Sequence, residues 1–387
     1  MSDRLVSVPH LSVLQTHRSE KWRGFPKDVL PLPVAEMDFP VAEPIRAVLS
    51  EMVATSDLGY LGAIPELGVG FKKFAAERWG WDIDESQVRP ATDVGVAVVE
   101  ILRVFTQPGD SILINSPVYH NFYSWIIETK LNKVDVPLER TGDESQNPWE
   151  INWAGVEKAY ASGIKVHLLC SPHNPLGRVF TTEELGKFVE LARKHDVLII
   201  SNELHAPLTY KGKSFIPILS LGEDAQRVSI VVTAASKGWN IAGLKCAIIV
   251  TQNAALFTRL NEMPPAVHWR SSLLGAFATA AAFSQGGPWL DDVLSQLDEN
   301  RHLIKNLLAA KLPSVRYHLP DNGFLAWLDL EALQLGEDPS KVLLEKGRVA
   351  FNPGHTFGVQ CSQYVRVNFA TSPEIITEAI ERIARAV

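Results

Sequence analysis

The chain predicts an α/β fold, with a mostly parallel sheet covered on both faces by helices and a smaller α+β region after it. Three observations carry this. Between residues 93 and 250, short apolar runs alternate with longer segments of helical periodicity, the pattern of strands buried on both faces. After about Pro264 the texture changes to an alanine- and leucine-rich segment, a long amphipathic one, and then short strands and helices. A length of 387 residues exceeds what one compact core ordinarily accommodates, so two domains are expected. The larger spans residues 41–285. The smaller combines residues 286–387 with the N-terminal arm, residues 1–40, because chain termini often lie close together.

The elements follow in order. Up to about Pro40 the chain mixes charges and prolines. Residues 22–26 read as loop, and residues 30–35 as extended, because each proline biases its predecessor away from helix. Residues 42–55 place Ile45, Val48, Leu49, Met52 and Val53 at helical spacing, and Gly59 and Gly62 break that pattern before a second amphipathic helix at 66–79. Residues 93–105 are an apolar helix. Residues 111–115 are a short buried strand, 119–129 a helix and 133–138 a strand. Residues 141–150 read as polar loop, with Gly142, Asp143, Ser145, Asn147 and Pro148. Val166–Cys170 is a strand running into the proline-rich turn 171–177. Thr181 and Glu184 form a capping box at the start of the next helix. Strands follow at 197–201, 228–232 and 246–250. Residues 271–283 read as a packed helix and 288–311 as a long helix joining two bodies. Strands at 316–319, 324–328, 349–351 and 365–369, a helix at 340–346 and a C-terminal helix after Pro373 make up the smaller region.

Composition narrows the function classes. The hydrophobic fraction of 46% and charged fraction of 21% are those of a globular protein. A formal charge of -7 and a pI near 5.9 argue against a nucleic-acid or anionic-membrane surface. Cys170, Cys246 and Cys361 are far apart and form no C-x-x-C pair. They imply reduced thiols and a cytoplasmic location, not a disulfide frame or a zinc site, and no metal is expected. Residues 1–15 lack a basic segment followed by a long apolar core, so no signal peptide is expected. No run of eighteen apolar residues suggests a membrane span.

Ligands of open parallel sheets bind beyond the carboxyl ends of the strands, so the residues after each strand are the candidates. They are Tyr119 and His120, then Asn174, then Asn202 and His205, and then Lys237. Together they offer an aromatic face, two amides and a lysine. Lys237 lies in the stretch TAASKGWNIAGLK, with Lys245 eight residues on. A lysine at the mouth of a buried strand must reach water, pair with an acid or lose its proton, and the last option makes a nucleophilic amine. One lysine for a covalent bond and one for a phosphate would suit pyridoxal phosphate. Taken alone, the stretch is better described as two ordinary surface lysines.

Across nearly the whole chain the motifs resemble fold type I pyridoxal-phosphate enzymes, the aspartate-aminotransferase superfamily, and within it the cystathionine β-lyase-like C–S lyases of the MalY/PatB group. The segments that carry the resemblance are Val34-Ala35-Glu36-Met37-Asp38-Phe39, Gly59-Tyr60, Ser116-Pro117-Val118-Tyr119, Pro172-His173-Asn174-Pro175, Glu203-Leu204-His205-Ala206, Ser236-Lys237, Gly243-Leu244-Lys245 and Arg366-Val367-Asn368-Phe369-Ala370. The resemblance implies a three-layer large domain of the PLP-dependent transferase type. It implies that Lys237 bonds the cofactor and then moves the Cα proton, with Tyr119 stacked beside it at the reacting centre. Lys245 and the amides of Val94 and Gly95 would hold the phosphate, Asn174 the phenolic oxygen and Asn202 the ring nitrogen, with Ser236 also binding the cofactor and His205 close by. Arg366 would clamp the substrate carboxylate, with Ala35 beside the substrate. Tyr60 would reach a neighbouring subunit's phosphate, which implies a homodimer with shared sites.

The sequence departs from that family at Asn202, where the family carries Asp. A neutral amide cannot hold a proton on the ring by charge. Return of a proton to the cofactor, which amino transfer needs, should suffer more than β-elimination. Leu176 stands where the family usually has Thr. His120 stands where some relatives have another aromatic, so it either touches the leaving group or faces solvent. His173 reads as a turn residue. The expected activity is β-elimination from L-cystathionine or related L-cysteine S-conjugates, giving thiol, pyruvate and ammonia. An aminotransferase on the same fold is the alternative, and a non-enzymic regulator that binds a transcription factor is the second. The leaving-group preference has no sequence code.

Overall fold

The computed structural model describes residues 6–142 and 147–387. Asp143 and Ser145 of the expected polar loop lie outside the described residues. The rest of that loop is partly ordered, because Glu139–Arg140 pairs antiparallel with Trp149–Glu150.

Among the described residues the central sheet has seven strands: β1 (Val88–Ala91), β2 (Ser111–Ile114), β3 (Asn132–Asp135), β4 (Val166–Cys170), β5 (Leu198–Asn202), β6 (Ser229–Thr233) and β7 (Ala247–Val250). Their spatial order is β1-β7-β6-β5-β4-β2-β3. Neighbours pair in parallel except that β7 runs antiparallel to both β6 and β1. Strand β1 was not expected. It is short, carries Arg89 and Pro90, and sits at the sheet edge, where a proline removes no needed ladder bond.

Alternation along each strand builds two core layers. Ile112, Ile114, Ile200, Ile230 and Val232 pack on one face with helices α1 (Val94–Phe105) and α2 (Asn121–Glu128). Leu113, Leu169, Ile199, Val231 and Ile248 pack on the other. That face is covered by helices α3 (Trp153–Ala161), α4 (Thr182–His195) and α5 (Leu273–Gln285), among others. The capping box of α4 is formed as expected, with Thr181 and Glu184 each accepting from the other's backbone N–H.

A second, four-stranded sheet contains β8 (Arg316–Tyr317), β9 (Leu325–Asp329), β10 (Asn352–Pro353) and β11 (Tyr364–Asn368), in the order β8-β9-β11-β10. The long helix α6 (Gly287–Lys311) packs against the C-terminal helix α7 (Pro373–Ala386) beside it. The N-terminal arm joins this side: Leu30–Pro31 pairs in parallel with Val349–Ala350, and Asn368 donates its backbone N–H to Leu32 at 2.8 Å.

Two features connect the core to the site. Trp239, fully buried, packs edge-on against Phe74 at 5.3 Å and Phe283 at 5.5 Å and donates its indole N–H to Gly286. Each such ring pair adds about 0.5–1.5 kcal/mol beyond its burial, so the turn after Lys237 is fixed from below. From above, the strap 33–38 is held by its main chain. Asn240 exchanges two 2.8 Å bonds with the backbone of Met37, and Asn368 donates to the carbonyls of Val34 and Glu36. Its far end is fixed by a buried ion pair, Lys21 Nζ to Asp38 Oδ2 at 2.7 Å, with Trp22 Nε1 on the other oxygen.

Candidate active site

The carboxyl ends of β4, β5 and β6 open onto a cavity of about 300 Å³. Val34, Ala35, Tyr119, His120, Asn174, Asn202, His205, Lys237 and Arg366 are among its lining residues. A second cavity of about 230 Å³ adjoins it, sharing Tyr119, Asn202, Leu204 and Lys237 and adding Asp93, Val94, Gly95, Ser236 and Lys245. All the expected site residues but one therefore meet in this pair of cavities. The exception is Tyr60, which lines neither and is 92% exposed on the loop before residue 61.

Lys237 stands in the short helix Ala235–Gly238 just beyond β6. Its Nζ donates to the carbonyl of Ala35 at 2.8 Å. Burial, with the Arg366 charge adding to it, lowers its pKa from 10.5 to about 8. A carbonyl accepts a hydrogen from the neutral amine as well as from the ammonium, though more weakly, so the contact positions the amine and leaves its lone pair free when the proton is lost.

Arg366 lies on β11 and is 3% exposed. Its guanidinium donates to Asn174 Oδ1 at 3.1 Å, the Pro33 carbonyl at 3.1 Å and Asn352 Oδ1 at 2.7 Å. It stacks over Phe357 at 4.9 Å. No carboxylate of the described residues bonds it, and its Nε is buried without a partner. A buried cation neutralised by no acid is a costly arrangement, and an incoming carboxylate would relieve it.

The far end is built for an anion. Helix α1 points its N-terminus into the second cavity, and Asp93 caps it by accepting the Val96 N–H at 2.9 Å. Gly95 faces Trp125 so closely that a Cβ would meet the indole nitrogen at 3.1 Å. Lys245 immediately precedes Cys246 and the antiparallel β7. The reversed strand places it at the carboxyl end of its neighbours, where its Nζ meets Asp93 at 3.1 Å. Both partners are exposed, so this pair is weak and easily exchanged for a stronger anion. Helix dipole, free amides and a lysine form the donor set of a phosphate site.

The remaining residues sort by contact. Burial raises the Tyr119 phenol pKa, and its oxygen accepts from Asn121. His205 is buried and held near a pKa of about 3, chiefly by burial. His120 lines the cavity 4.5 Å from the Tyr119 ring, its Nδ1 buried without a partner and its pKa near 4 from burial. His173 is turned away, its Nε2 against the Asn115 carbonyl at 3.2 Å, which fits a turn residue. Leu176 is buried in the core, so its aliphatic side chain packs where a hydroxyl would need a partner. Asn352 was not among the expected residues, yet it lines the cavity and orients Arg366. The Pro33 and Ala35 carbonyls are equally invisible to residue type.

A flat heteroaromatic ring carrying a phosphate fits these donors: an aromatic face at Tyr119, an amine at Lys237 and an anion site at α1. The family model for aminotransferases of class I and II matches residues 32–383, and the chain belongs to that family. It is similar to the cystathionine β-lyase of Corynebacterium glutamicum, at 34% identity over 97% of this chain and 98% of the relative. The cystathionine β-lyase PatB of Bacillus subtilis is 30% identical, covering 93% of this chain and 92% of its own. The crystal structure of cystalysin from Treponema denticola, which contains a pyridoxal 5′-phosphate cofactor, matches with a TM-score of 0.91 at 28% identity and covers 96% of each chain. Within the aminotransferase family the chain thus stands with the cystathionine β-lyases. Among the described residues no helix is long and apolar enough to cross a membrane.

Proposed function

We propose that the protein is a pyridoxal-phosphate-dependent carbon–sulfur β-lyase acting on L-cystathionine or related L-cysteine S-conjugates. The observation that carries this is the pairing in one cavity of a lysine amine of lowered pKa with a buried arginine that no carboxylate neutralises. Bound there, pyridoxal phosphate supplies an electron sink conjugated to the substrate Cα. Arg366 binds the substrate α-carboxylate and sets which Cα bond faces Lys237. The Lys237 amine, held by Ala35, takes the Cα proton. The Cβ–S bond breaks with its electron pair leaving on sulfur, and the proton held by Lys237 goes to the thiolate. The three-carbon enamine then takes up one water, giving pyruvate and ammonia. With L-cystathionine the balance is one water consumed and one homocysteine, one pyruvate and one ammonia released. Val94, Gly95, Ser236 and Lys245 would hold the phosphate end, Tyr119 would offer the ring an aromatic face, and Asn174, Asn202 and His205 would meet the rest of the cofactor.

The test is to incubate the purified holoenzyme with L-cystathionine and no keto acid. Equal amounts of free thiol and pyruvate are expected. Turnover that appears only when a keto acid is added, with no thiol, would assign the site to amino transfer instead.

Three further readings belong here. Tyr60 is exposed on a loop and lines neither of the chain's own cavities, which supports a role at a second copy's phosphate site and hence a homodimer. A monomer by sedimentation at assay concentration would refute it. A two-domain division, residues 41–285 against residues 1–40 with 286–387, is supported by the pairing of the arm with Val349–Ala350, and limited proteolysis with sites clustered elsewhere would contradict it. A cytoplasmic location is supported by three buried free cysteines, and recovery of the protein from an extracellular fraction would contradict it.

A further inference from the structure

The cavity meets the edge of its ligand with donors, and the tethering of two amides fixes this. Asn202, the last residue of β5, accepts the backbone N–H of Leu204 on its Oδ1 at 3.2 Å. A backbone N–H can bond only the oxygen of an amide, so the NH₂ end of Asn202 faces the cavity, where no acceptor of the described residues takes it. Asn174 is fixed the same way, because its Oδ1 accepts from Arg366. Both amides therefore present N–H groups.

No carboxylate lines the first cavity; Glu36, on the strap, reaches it only through its charge acting on Lys237. The titratable groups lining the first cavity are Lys237, Arg366, Tyr119, His120, His205 and Cys170. Asp93 lines only the second cavity, at its phosphate end, committed to Lys245 and to capping α1. Glu203 follows Asn202 directly, but its carboxyl turns into the core to accept from Ser201 and the Ile218 N–H. A protonated ring nitrogen is held best by an anion, and the groups lining this cavity include two cations and no carboxylate.

We propose that Asn202 donates a hydrogen bond to the ring nitrogen of the cofactor and keeps that nitrogen unprotonated during turnover. This rests on the pyridoxal-phosphate reading above and goes beyond it. A neutral ring withdraws electrons less strongly than a protonated one. Charge left at Cα when Lys237 takes the proton is then best discharged through a leaving group at Cβ. Asn202 thus acts as a specificity-determining residue: substrates with a β-thiolate turn over, and simple amino acids exchange their amino group slowly.

The experiment loads the full-length protein with pyridoxal phosphate carrying ¹⁵N at the ring nitrogen and records its ¹⁵N resonance. The expected signal lies at the neutral heteroaromatic position and does not move across the pH range in which the protein stays folded. In Asn202→Asp the resonance moves to the protonated position, and amino transfer to a keto acid gains relative to pyruvate release. A wild-type signal at the protonated position overturns the proposal, as does an Asn202→Asp signal that stays put. Failure of the protein to retain any labelled cofactor overturns the cofactor reading itself, so the two failures are told apart by whether label is bound.

Discussion

Stripped of its cofactor, the protein should recapture pyridoxal phosphate at a rate that climbs about tenfold per pH unit up to pH 8 and then levels, because only the neutral Lys237 amine attacks. The magnitude comes from the site. With a pKa near 8 in place of 10.5, roughly one Lys237 in ten is neutral at pH 7, against about one in three thousand for an ordinary lysine, a gain on the order of 300-fold. Burial is the first cause and the Arg366 charge the second. Arg366→Met should therefore move the inflection upward without restoring 10.5. The assay is stopped-flow absorbance of cofactor binding across a pH series, with Lys237→Ala as the blank. A wild-type rate still climbing above about pH 9, or an inflection that falls in Arg366→Met, would refute the reasoning that desolvation and a neighbouring cation prepare this amine.

Two other outcomes are expected. Glu203 is buried with its pKa pushed up to about 8, so the folded state keeps a proton that the unfolded chain releases near 4.5. Its contribution is complete below about pH 4.5 and is lost as pH rises to 8. Glu203→Gln keeps the acceptor for Ser201 and Ile218 and should be more stable than wild type by about 2–5 kcal/mol above pH 8. Denaturant melts at pH 5 and pH 9 with the same difference between the two proteins would contradict this. Lys21→Met leaves Asp38 buried beside Trp22 without its cation and should cost about 3–5 kcal/mol. A loss below about 1 kcal/mol in urea unfolding would mean the pair does not hold the strap.

Much of this was legible in the sequence because strand and site signals coincide. Val166–Cys170 is five apolar or buried residues ending in a proline-rich turn, and it is a strand with those limits. Reading the residue after each strand collected Tyr119, Asn174, Asn202 and Lys237, which share one cavity. What was hidden has physical causes. Strand β7 is as apolar as its parallel neighbours, so its reversal left no trace in composition, although the reversal is what brings Lys245 to the phosphate end. Strand β1, with Arg89 and Pro90, reads as loop until its edge position is known. Asn352 carries no motif, since its task is to orient another side chain. The carbonyls that meet Lys237 and Arg366 are main-chain atoms, which any sequence would supply.

That last point has a consequence for how the strap would respond to a saturation mutagenesis library. Pro33, Val34, Ala35, Glu36 and Met37 all offer carbonyls, and Met37 and Asp38 offer amides, to groups elsewhere in the chain. Side-chain replacements that keep the backbone path should pass selection at several of these positions. Proline at 37 or 38 would delete a bonded N–H and should be purged. The segment nearest the reacting amine would then score as tolerant by residue identity and intolerant by backbone chemistry, a signature that a conventional alanine scan would miss.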